Sequence, residues 1–274
     1  MRDIIEMRAK VSDRDKTISD FGDQWMRHTE NPGYYGSVEL FDDLIHPFLT
    51  RADFAGRHCA EIGSGTGRIV RMMLAACAGH VTAMEPSRAF EILVRNTAEA
   101  GDRVTCLNVR GEEIPESEFD IILSIGVLHH IPDPKPVVDA AWRALHEGGT
   151  MLIWVYGQEG SRLYRSIFQP MRLITRRLPI GVNEAIARAI YTVIVGYIAL
   201  IRRFPRLPLS DYLRNVYLRF DANERRLVIL DQINPQWARY YRKDEAIALL
   251  RQSGFRNVEA FHRHGYSWTV IGTK

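Results

Sequence analysis

The sequence predicts an α/β protein built on a doubly wound, mostly parallel sheet with helices on both faces. Apolar strand-like runs alternate with segments that carry apolar residues at three- and four-residue spacing, which is the order expected of such a sheet. The expected strands are RHCAEI (57–62), HVTAM (80–84), RVTCLNV (103–109), FDIILSIG (119–126) and TMLIWVY (150–156). Ligands of these sheets bind outside the carboxyl ends of the strands.

The expected helices lie between these strands. They are GRIVRMMLAACA (67–78), SRAFEILVRNTAEA (87–100) and PKPVVDAAWRALH (134–146). We expect Gly79, Gly101 and Gly148 to end them, because many helices stop at a glycine in the left-handed conformation.

The composition is that of an ordinary globular protein. The chain has 274 residues, of which 46% are hydrophobic and 25% charged, enough for one large domain or a domain with an insertion. Its first residues mix acids and bases without the apolar stretch of a secretory signal, so we expect a cytoplasmic protein. Cys59, Cys77 and Cys106 are odd in number and widely spaced, so we expect buried, reduced thiols and neither disulfides nor a metal site.

The segment AEIGSGTG (60–67) follows the first expected strand and indicates a cofactor loop. Gly63, Gly65 and Gly67 allow a ligand to approach the backbone closely, but the dinucleotide fingerprint puts its third glycine one residue later. Glu61 would repel a pyrophosphate and attract an ammonium group. These features disfavour an NAD-dependent oxidoreductase and favour S-adenosylmethionine, which has an ammonium group on its methionine half.

A second acid, Glu85, ends the next strand in VTAMEPS, where it can accept hydrogen bonds from both ribose hydroxyls of an adenosine. With this acid, the loop and the strand order, the chain resembles the class I S-adenosylmethionine-dependent methyltransferases. Their first motif, E/D-x-G-x-G-x-G, is matched from Glu61 to Gly67. The resemblance implies S-adenosylmethionine as cofactor, S-adenosylhomocysteine as product, and a seven-stranded Rossmann-like sheet with an antiparallel last strand.

The resemblance covers residues 36–157, the expected cofactor-binding core. It includes EEIPESEFDIILSIGVLHHIPDP (112–134), which is similar to small-molecule methyltransferases that act on quinone precursors. Arg110 stands where that family commonly has an acid for the adenine, so we expect the Gly111 backbone and Glu112 to take over this contact. The full set of cofactor contacts expected within the core is Glu61, Gly63, Ser64, Gly65, Gly67, Glu85, Pro86, Gly111, Glu112, Ser124, Gly126 and Val127.

The amino-terminal segment, residues 1–35, is expected to fold over the cofactor. In the resembling family such a segment often does so, and the aromatic faces of Trp25 and Tyr34 would stabilise a sulfonium by cation–π attraction. The alternative is a helix whose aromatic residues, with Tyr35, simply pack on the core.

The chemistry implied is an in-line attack of an acceptor atom on a sulfonium methyl group, for which alignment alone supplies an effective molarity of about 10⁵ to 10⁸ M. A base is needed only if the acceptor must lose a proton. His129 and His130 follow the fourth strand, and His129 is the candidate base. The alternative is that both histidines pack beneath the loop.

A helical insert, residues 158–241, separates the fifth strand from a closing helix and strand pair in 242–274. Between Arg162 and Arg226 it has thirteen arginines, no lysine and four acids, a local formal charge of +9. The density of arginines allows an anionic acceptor, such as a phosphorylated or lipid-linked sugar. We expect no nucleic-acid partner, because no RNA-binding module is recognisable.

The insert contains AIYTVIVGYIALI (189–201), an apolar run of thirteen residues between Arg188 and Arg202. A membrane-spanning helix needs roughly 20 residues. Three interpretations remain open: a lid helix over the substrate pocket, a contact in a homodimer, or a helix lying in a membrane interface.

The stretch ILDQINPQWARYYRKDEA (229–246) resembles related bacterial methyltransferases and implies an acceptor site. In an alternating strand His262 and His264 share a face, so both enter the pocket or both are exposed. The expected acceptor contacts are Tyr156, Asp231, Tyr240, Tyr241, His262, His264, Tyr266 and Trp268.

The sequence therefore predicts methyl transfer to oxygen, or in second place nitrogen, of a small-molecule, glycan or lipid-linked acceptor, in a cytoplasmic or membrane-peripheral protein. The alternative from another class is a catalytically inactive S-adenosylmethionine-binding protein that acts as an assembly or regulatory partner.

Overall fold

A computed structural model describes the backbone of residues 2–204 and 206–274, and side chains from residue 13 onward except those of residues 205 and 211. Seven strands form a single sheet. They are β1 (His58–Ile62), β2 (His80–Met84), β3 (Val104–Leu107), β4 (Phe119–Ile125), β5 (Leu145–Tyr156), β6 (Arg256–Arg263) and β7 (Ser267–Thr273). Their order is β3-β2-β1-β4-β5-β7-β6. Strands β1 to β5 pair in parallel, and β7 is antiparallel to both β5 and β6. The predicted fold class is confirmed.

Ten α-helices surround the sheet or extend from it in the described part of the chain. They are α1 (Arg2–Trp25), α2 (Val38–Ile45), α3 (Arg68–Ala75), α4 (Phe90–Thr97), α5 (Lys135–Ala144), α6 (Arg162–Thr175), α7 (Ile180–Arg203), α8 (Ser210–Asn215), α9 (Ala222–Ile233) and α10 (Lys243–Arg251).

The central strands are buried on both faces, as parallel strands covered by helices must be. On one face Val137 and Ala141 of α5 and Leu250 of α10 belong to the core. On the other face Phe41 of α2 and Met72 of α3 do so. This double covering leaves the carboxyl ends of the strands as the place where a ligand can enter.

Two expected helix ends and one cysteine differ from the prediction. The left-handed residue after α3 is Cys77 (φ 62°), so Gly79 does not end this helix. Gly148 lies within β5, because α5 already ends at Ala144 and the chain extends from Leu145 onward. Cys77 is exposed at this turn, whereas Cys59 is buried and Cys106 partly buried, so the expectation of three buried thiols was wrong for Cys77.

Helices α6 to α9 form a separate helical layer between β5 and α10. Their shared core includes Phe168 of α6, Ile198 and Ile201 of α7, and Leu230 and Ile233 of α9. The apolar run of the sequence is part of the longer helix α7, which has 24 residues and is long and apolar enough to cross a membrane by length and composition. The apolar run of thirteen residues was shorter than a membrane-spanning helix needs, but the helix that contains it is not.

Candidate active site

A cavity of about 840 Å³ opens at the carboxyl ends of β1, β2, β4 and β5. Its volume lies within the range of roughly 300–1,000 Å³ that small-molecule and cofactor sites occupy. One end is formed by residues of the sheet edge and the other by the helical layer. The sequence-predicted cofactor residues on its wall are Trp25, Glu61, Gly63, Ser64, Gly65, Glu85, Pro86, Gly111, Gly126 and Val127.

The glycine loop leaves β1 in a tight turn. The amides of Gly63 and Ser64 donate to the carbonyl oxygen of Met84 at 2.9 and 2.8 Å. Gly63 has φ +79°, and a Cβ there would lie 2.5 Å from Cγ2 of Val127. A glycine is therefore required at this position by backbone conformation and by space, and its absence of a side chain keeps the loop open to the cavity.

The carboxylate of Glu85 is fixed by the backbone around it. Its Oε2 accepts from the amide of Gly65 at 2.8 Å and its Oε1 from the amide of Ser87 at 2.9 Å. Each carboxylate oxygen accepts more than one hydrogen bond, so both oxygens remain available to a ligand on the cavity side. This arrangement fits a ribose diol.

Glu61 is buried, and the nearby charge of Arg68 offsets the cost of its burial only in part. It is 2% exposed, and its Oε2 has no hydrogen-bond partner among the described residues. Burial raises the pKa of this carboxyl to about 8. The ammonium group of S-adenosylmethionine would pair with this carboxyl and favour its ionised form. The residues present therefore fit this cofactor.

Helix α1 and the segment after it cover the cofactor end of the cavity. Trp25 lines the cavity, and a Cβ on Gly65 would lie 3.4 Å from its indole nitrogen. The segment is attached to the glycine loop, because Asn31 Nδ2 donates to Thr66 Oγ1 at 2.5 Å. The loop is also joined to residue 29, since Asn96 Nδ2 donates to the carbonyl oxygens of residues 29 and 66 at 2.7 and 2.9 Å.

Tyr34 does not reach the cavity, whereas its neighbour Tyr35 lines it. The ring of Tyr34 packs on Phe220 at 5.4 Å between centroids, and the guanidinium of Arg219 lies 4.0 Å from its centroid. The 3₁₀ turn Gly33–Gly36 directs these adjacent side chains differently. For Tyr34 the structure favours the packing alternative over the sulfonium contact.

Of the two residues expected to contact the adenine, one lines the cavity and the other does not. Gly111 and Arg110 line the cavity, but Glu112 does not, because its carboxylate pairs with the guanidinium of Arg14 of α1. Arg110 pairs with Asp15 of the same helix at 2.8 Å. The substitution of arginine for the family's acid thus serves to hold α1 against the turn after β3.

Two other predicted cofactor residues lie behind the cavity wall. Gly67 precedes the first residue of α3, with φ +84°, and faces Leu93 and Thr97. Ser124 is fully buried in β4, and its Oγ has no partner among the described residues. Neither contributes surface to the cavity.

The candidate base His129 is not brought to the cavity. It is 0% exposed, enclosed by the rings of His130 and Tyr156 at 4.2 and 3.8 Å between centroids, and burial lowers its pKa well below 6.5. His130 does line the cavity; its Nδ1 bonds the carbonyl oxygen of Trp237 at 2.9 Å, and burial lowers its pKa to about 3. Both histidines are therefore neutral packing residues of this turn.

The acceptor end is lined mainly by aromatic side chains. Of these, Trp154, Tyr164 and Tyr212 had not been predicted, since neither their spacing nor a local motif marks them. The aromatic residues on this part of the wall are Trp154, Tyr156, Tyr164, Tyr212, Tyr240 and Tyr266.

Gln232 of α9 orders two of these tyrosines. Its Nε2 donates to the hydroxyl of Tyr156 at 2.7 Å, and its Oε1 accepts from the hydroxyl of Tyr240 at 3.2 Å. The two rings are stacked with centroids 5.4 Å apart. Arg172 supports this pair from outside, because its Nε donates to the Gln232 carbonyl oxygen at 2.7 Å.

Asp231 also faces the cavity at this end. Its Oδ1 accepts a hydrogen bond from Gln24 of α1, and its Oδ2 has no partner among the described residues. Burial raises the pKa of this carboxyl to about 7. A carboxyl that ionises near neutrality, with one oxygen free, can accept a proton from a bound hydroxyl.

Three predicted acceptor residues are turned away from the cavity. Tyr241 lies in the sheet core, and its amide donates to the carbonyl oxygen of Tyr156 at 2.8 Å, at the carboxyl end of β5. Trp268 is also in this core, with its indole nitrogen 3.2 Å from Glu159, and His262 stacks on it at 4.3 Å.

His262 and His264 do not share a face, contrary to the expectation. Strand β6 ends at Arg263, and His264 adopts a left-handed conformation (φ 47°) in the following turn. His264 lines the cavity beside Tyr266 and bonds Asp43 at 2.8 Å. The intervening Arg263, not predicted, is 2% exposed, donates to the Tyr266 hydroxyl at 2.6 Å and also pairs with Asp43.

Among the residues that the structure describes, no group of three or more His, Cys, Asp or Glu is placed to hold a metal ion.

Known proteins similar to this chain are methyltransferases. The family described as "Methyltransferase domain" matches residues 60–153. A ubiquinone biosynthesis O-methyltransferase of Aromatoleum aromaticum is 32% identical over 102 residues, which are 36% of this chain and 43% of that protein. The protein of the same name from Methylococcus capsulatus is 25% identical over 171 residues, 61% of this chain and 72% of the relative. The chain spans about half the length of most of the curated relatives it matches.

Solved structures share the fold at low sequence identity. The pyocyanin biosynthetic protein PhzM has a TM-score of 0.52 at 17% identity, covering 86% of this chain and 55% of its own. An S-adenosylmethionine-dependent methyltransferase from Methanosarcina mazei has a TM-score of 0.50 at 16% identity, covering 84% and 96%. Residues 60–153 match a methyltransferase domain, and the fold, the glycine loop and the buried acids Glu61 and Glu85 fit the class I S-adenosylmethionine-dependent methyltransferases, with S-adenosylmethionine as the cofactor that the site suits.

Proposed function

We propose that the protein transfers a methyl group to a hydroxyl oxygen of a small organic acceptor with an aromatic or apolar body. The observation that carries this proposal is one continuous cavity, with Glu61 and Glu85 at one end and an aromatic wall containing Asp231 at the other. That the curated relatives are named O-methyltransferases supports oxygen over nitrogen as the atom that receives the methyl group.

Bound S-adenosylmethionine supplies an electrophilic methyl group, so the chain itself has to bind, orient and exclude water. Glu61 holds the cationic end and Glu85 the ribose. Trp25 and the tethered segment after α1 close this end of the cavity. Such positioning accounts for much of the rate enhancement in a transfer between two bound reactants, because it replaces encounter in solution by an aligned pair.

In this proposal Asp231 takes the place that the sequence had given to His129. A hydroxyl acceptor must lose its proton as the new bond forms, and a base with a pKa near the working pH does this best. Asp231 lines the cavity with one carboxylate oxygen unbonded to any described residue, whereas His129 is fully buried and does not line it. Gln24 fixes the other carboxylate oxygen and thereby the orientation of the group.

The aromatic wall favours a planar acceptor. Stacked and edge-to-face contacts with Tyr156 and Tyr240 would hold a ring parallel or perpendicular to theirs. Burial raises the pKa of Tyr156 well above its usual value, so its phenol stays neutral and offers a hydrogen bond without charge repulsion toward an ionising acceptor.

The test separates chemistry from cofactor binding. With 3,4-dihydroxybenzoate as the acceptor probe, Asp231→Asn should lower kcat by about 10² to 10⁴, the usual share of a general base, while the Kd for S-adenosylhomocysteine stays unchanged. Wild-type kcat should rise with pH through about 7, where Asp231 ionises, and level off above it. Glu85→Ala should instead raise the Kd, and the exposed control Asp102→Asn should change neither.

Equal turnover by Asp231→Asn would remove this residue from catalysis. Binding of S-adenosylhomocysteine with no methylation of phenol, sugar or amine acceptors would support the inactive, regulatory alternative.

A further inference from the structure

One side of α7 is apolar and faces outward. Its residues recur at three- and four-residue spacing and are exposed, which places them on one stripe of the helix. We call this stripe the outer face of α7; it comprises Val182, Ala185, Ala189, Val193, Gly196 and Leu200. The opposite side, with Asn183, Ala187, Ile198 and Ile201, is buried against the protein.

Most residues of this helix are apolar, yet little of it is covered. In its most apolar 18-residue window the mean hydropathy is 1.7, and 17% of the window is buried. Val193 is 73% exposed. A helix on the surface of a protein in water normally has a polar outer face, and one that is apolar on every side is normally enclosed. The outer face of α7 therefore requires an apolar cover.

Helix α6 adds to the same requirement. It packs on α9 beside α7, and its outward residues Leu163, Ile167, Leu173 and Ile174 are exposed. Exposed apolar side chains concentrated on neighbouring helices of one layer mark an interaction site.

The charges around these helices indicate what kind of surface covers the outer face of α7. Exposed arginines stand at the ends of α6 and α7 and beside the outer face, and none of them pairs with an acid whose side chain the structure describes. They are Arg162, Arg177, Arg188, Arg202, Arg203 and Arg206. An apolar surface with a rim of arginines matches a bilayer with anionic headgroups. A second copy of the chain would bring these like charges together.

Helix α7 packs along the protein surface over its length, and this packing determines how it can lie relative to a membrane. Its inner side is packed from Asn183 to Ile201 against the helical layer, including α9, so protein accompanies it over its length. In this packing it lies parallel to a membrane surface with its outer face toward the acyl chains.

The cavity reaches the same surface. Arg206, Leu207 and Leu209, in the connection between α7 and α8, form part of the cavity wall. A smaller recess formed by Arg203, Phe204, Arg206 and Leu207 adjoins them, and Phe204 is 55% exposed. The wall of the cavity thus extends to the residues that directly follow the carboxyl end of α7.

We propose that the outer face of α7 docks on an anionic lipid surface, and that an acceptor with an apolar chain enters the cavity from that surface between α7 and α8. The docking stands on its own, and the entry of the acceptor rests on the proposed methyl transfer.

Docking is tested with the full chain and vesicles, without cofactor or acceptor. The protein should sediment with vesicles of equal parts phosphatidylglycerol and phosphatidylcholine, less so at high salt, and not with phosphatidylcholine alone. Val193→Glu and Leu200→Glu should abolish sedimentation. Arg202→Glu and Arg203→Glu should each lower the partition coefficient by at least about fivefold, the effect of one cation near such a surface.

Matched controls lie elsewhere on the surface. Val94→Glu introduces the same change at an exposed valine of α4, and Arg103→Glu reverses an exposed arginine; both should bind vesicles like the wild type. All variants should keep the wild-type Kd for S-adenosylhomocysteine, which shows that they are folded and keeps this test separate from that of the proposed function.

Entry of the acceptor is tested with a pair of phenols, one bearing a long alkyl chain and one without it, in the presence of anionic vesicles. Val193→Glu should slow methylation of the chain-bearing phenol at least tenfold and leave the water-soluble phenol unaffected. Equal rates for both phenols would overturn the entry route. Failure to bind anionic vesicles at low salt, or a dimer that Val193→Glu dissociates, would overturn docking and assign the outer face to a second copy of the chain.

Discussion

Glu61 and Glu85 lie at the carboxyl ends of neighbouring strands, but their carboxyl groups are stabilised differently. Glu85 accepts two backbone amides, whereas Glu61 has an oxygen without any partner among the described residues. Burial outweighs the charge of Arg68, so in the absence of a ligand Glu61 holds a proton up to about pH 8. The site is thus neutral at this point until a positively charged group arrives.

Binding of S-adenosylhomocysteine at pH 7 should therefore release most of one proton, because its ammonium group favours the ionised form of Glu61. Calorimetry in buffers with different ionisation enthalpies measures this release. Glu61→Gln should remove it. Binding enthalpies that do not depend on the buffer would show that Glu61 does not meet the ammonium group.

Local sequence predicts residues whose role depends on backbone position. The positions of Glu61 and Glu85 could be predicted because each lies at the carboxyl end of a strand, and the strand fixes where its backbone is. His129 could not, because the direction of its side chain depends on the 3₁₀ turn Leu128–His130, which turns it under the wall. The altered acidity of Asp231 comes from burial by distant parts of the chain, and no neighbouring residue indicates it.

Helix α1 is the element that closes the cofactor end. It contributes Trp25 to the wall and ion pairs through Arg14 and Asp15 to the turn after β3. Its side chains also reach the segment after α9, since Gln236 Nε2 donates to Asp13 at 2.8 Å. The cover is therefore attached to both the core and the insert.

Trp25→Ala should weaken binding of S-adenosylmethionine by about 2- to 30-fold, the range of a cation–π contact. Binding of S-adenosylhomocysteine, whose sulfur carries no charge, should be weakened less. Competition calorimetry with both ligands gives the ratio. The control Trp142→Ala alters a partly buried tryptophan of α5 outside the cavity and should preserve both affinities. Equal losses for the two ligands would make Trp25 an apolar cover only.

The elements of the sheet could be predicted because strand and helix periods alternate regularly. Helix α7 was underestimated because Glu184 and Arg188 interrupt the apolar run in the sequence. In the structure these residues lie on the helix sides, with Glu184 near Arg27 of the amino-terminal segment at 3.6 Å, so the helix continues through them. Charged residues limit an apolar run but do not limit a helix.

At the scale of the whole molecule, the cavity unites α1, the sheet edge and the insert, which are far apart in the sequence. Periodicity identifies each element, but not the convergence of Tyr164, Tyr212 and Tyr266 on one space. This is why the cofactor end was predicted in greater detail than the acceptor end.

The carboxyl groups of Glu61 and Asp231 link the stability of the cofactor-free protein to pH. The folded state holds protons on Glu61 up to about pH 8 and on Asp231 up to about pH 7, while the unfolded chain loses them near pH 4 to 4.5. Their contribution is therefore fully present below about pH 4 and is lost as pH rises toward 8. The double variant Glu61→Gln, Asp231→Asn should gain unfolding free energy relative to wild type between pH 5 and pH 8.

Urea denaturation without cofactor at about pH 5 and about pH 8 measures this difference. The exposed control Glu91→Gln should leave the pH dependence of the wild type intact. A constant difference between the double variant and the wild type at both pH values would mean that the two acids ionise normally in the folded state.

The amide of Gln232 fixes the direction of two hydroxyl protons. Because Tyr240 donates its proton to the amide oxygen, its hydroxyl can offer only lone pairs to a further group. Because the Tyr156 hydroxyl accepts a hydrogen bond from the amide nitrogen, its own proton remains free for a further acceptor. The wall therefore presents a donor and an acceptor side by side, a polarity suited to a molecule with two neighbouring oxygens. With glutamate in place of Gln232, both hydroxyls would donate to the carboxylate, so the wall would present two acceptors and would favour a molecule with two donors.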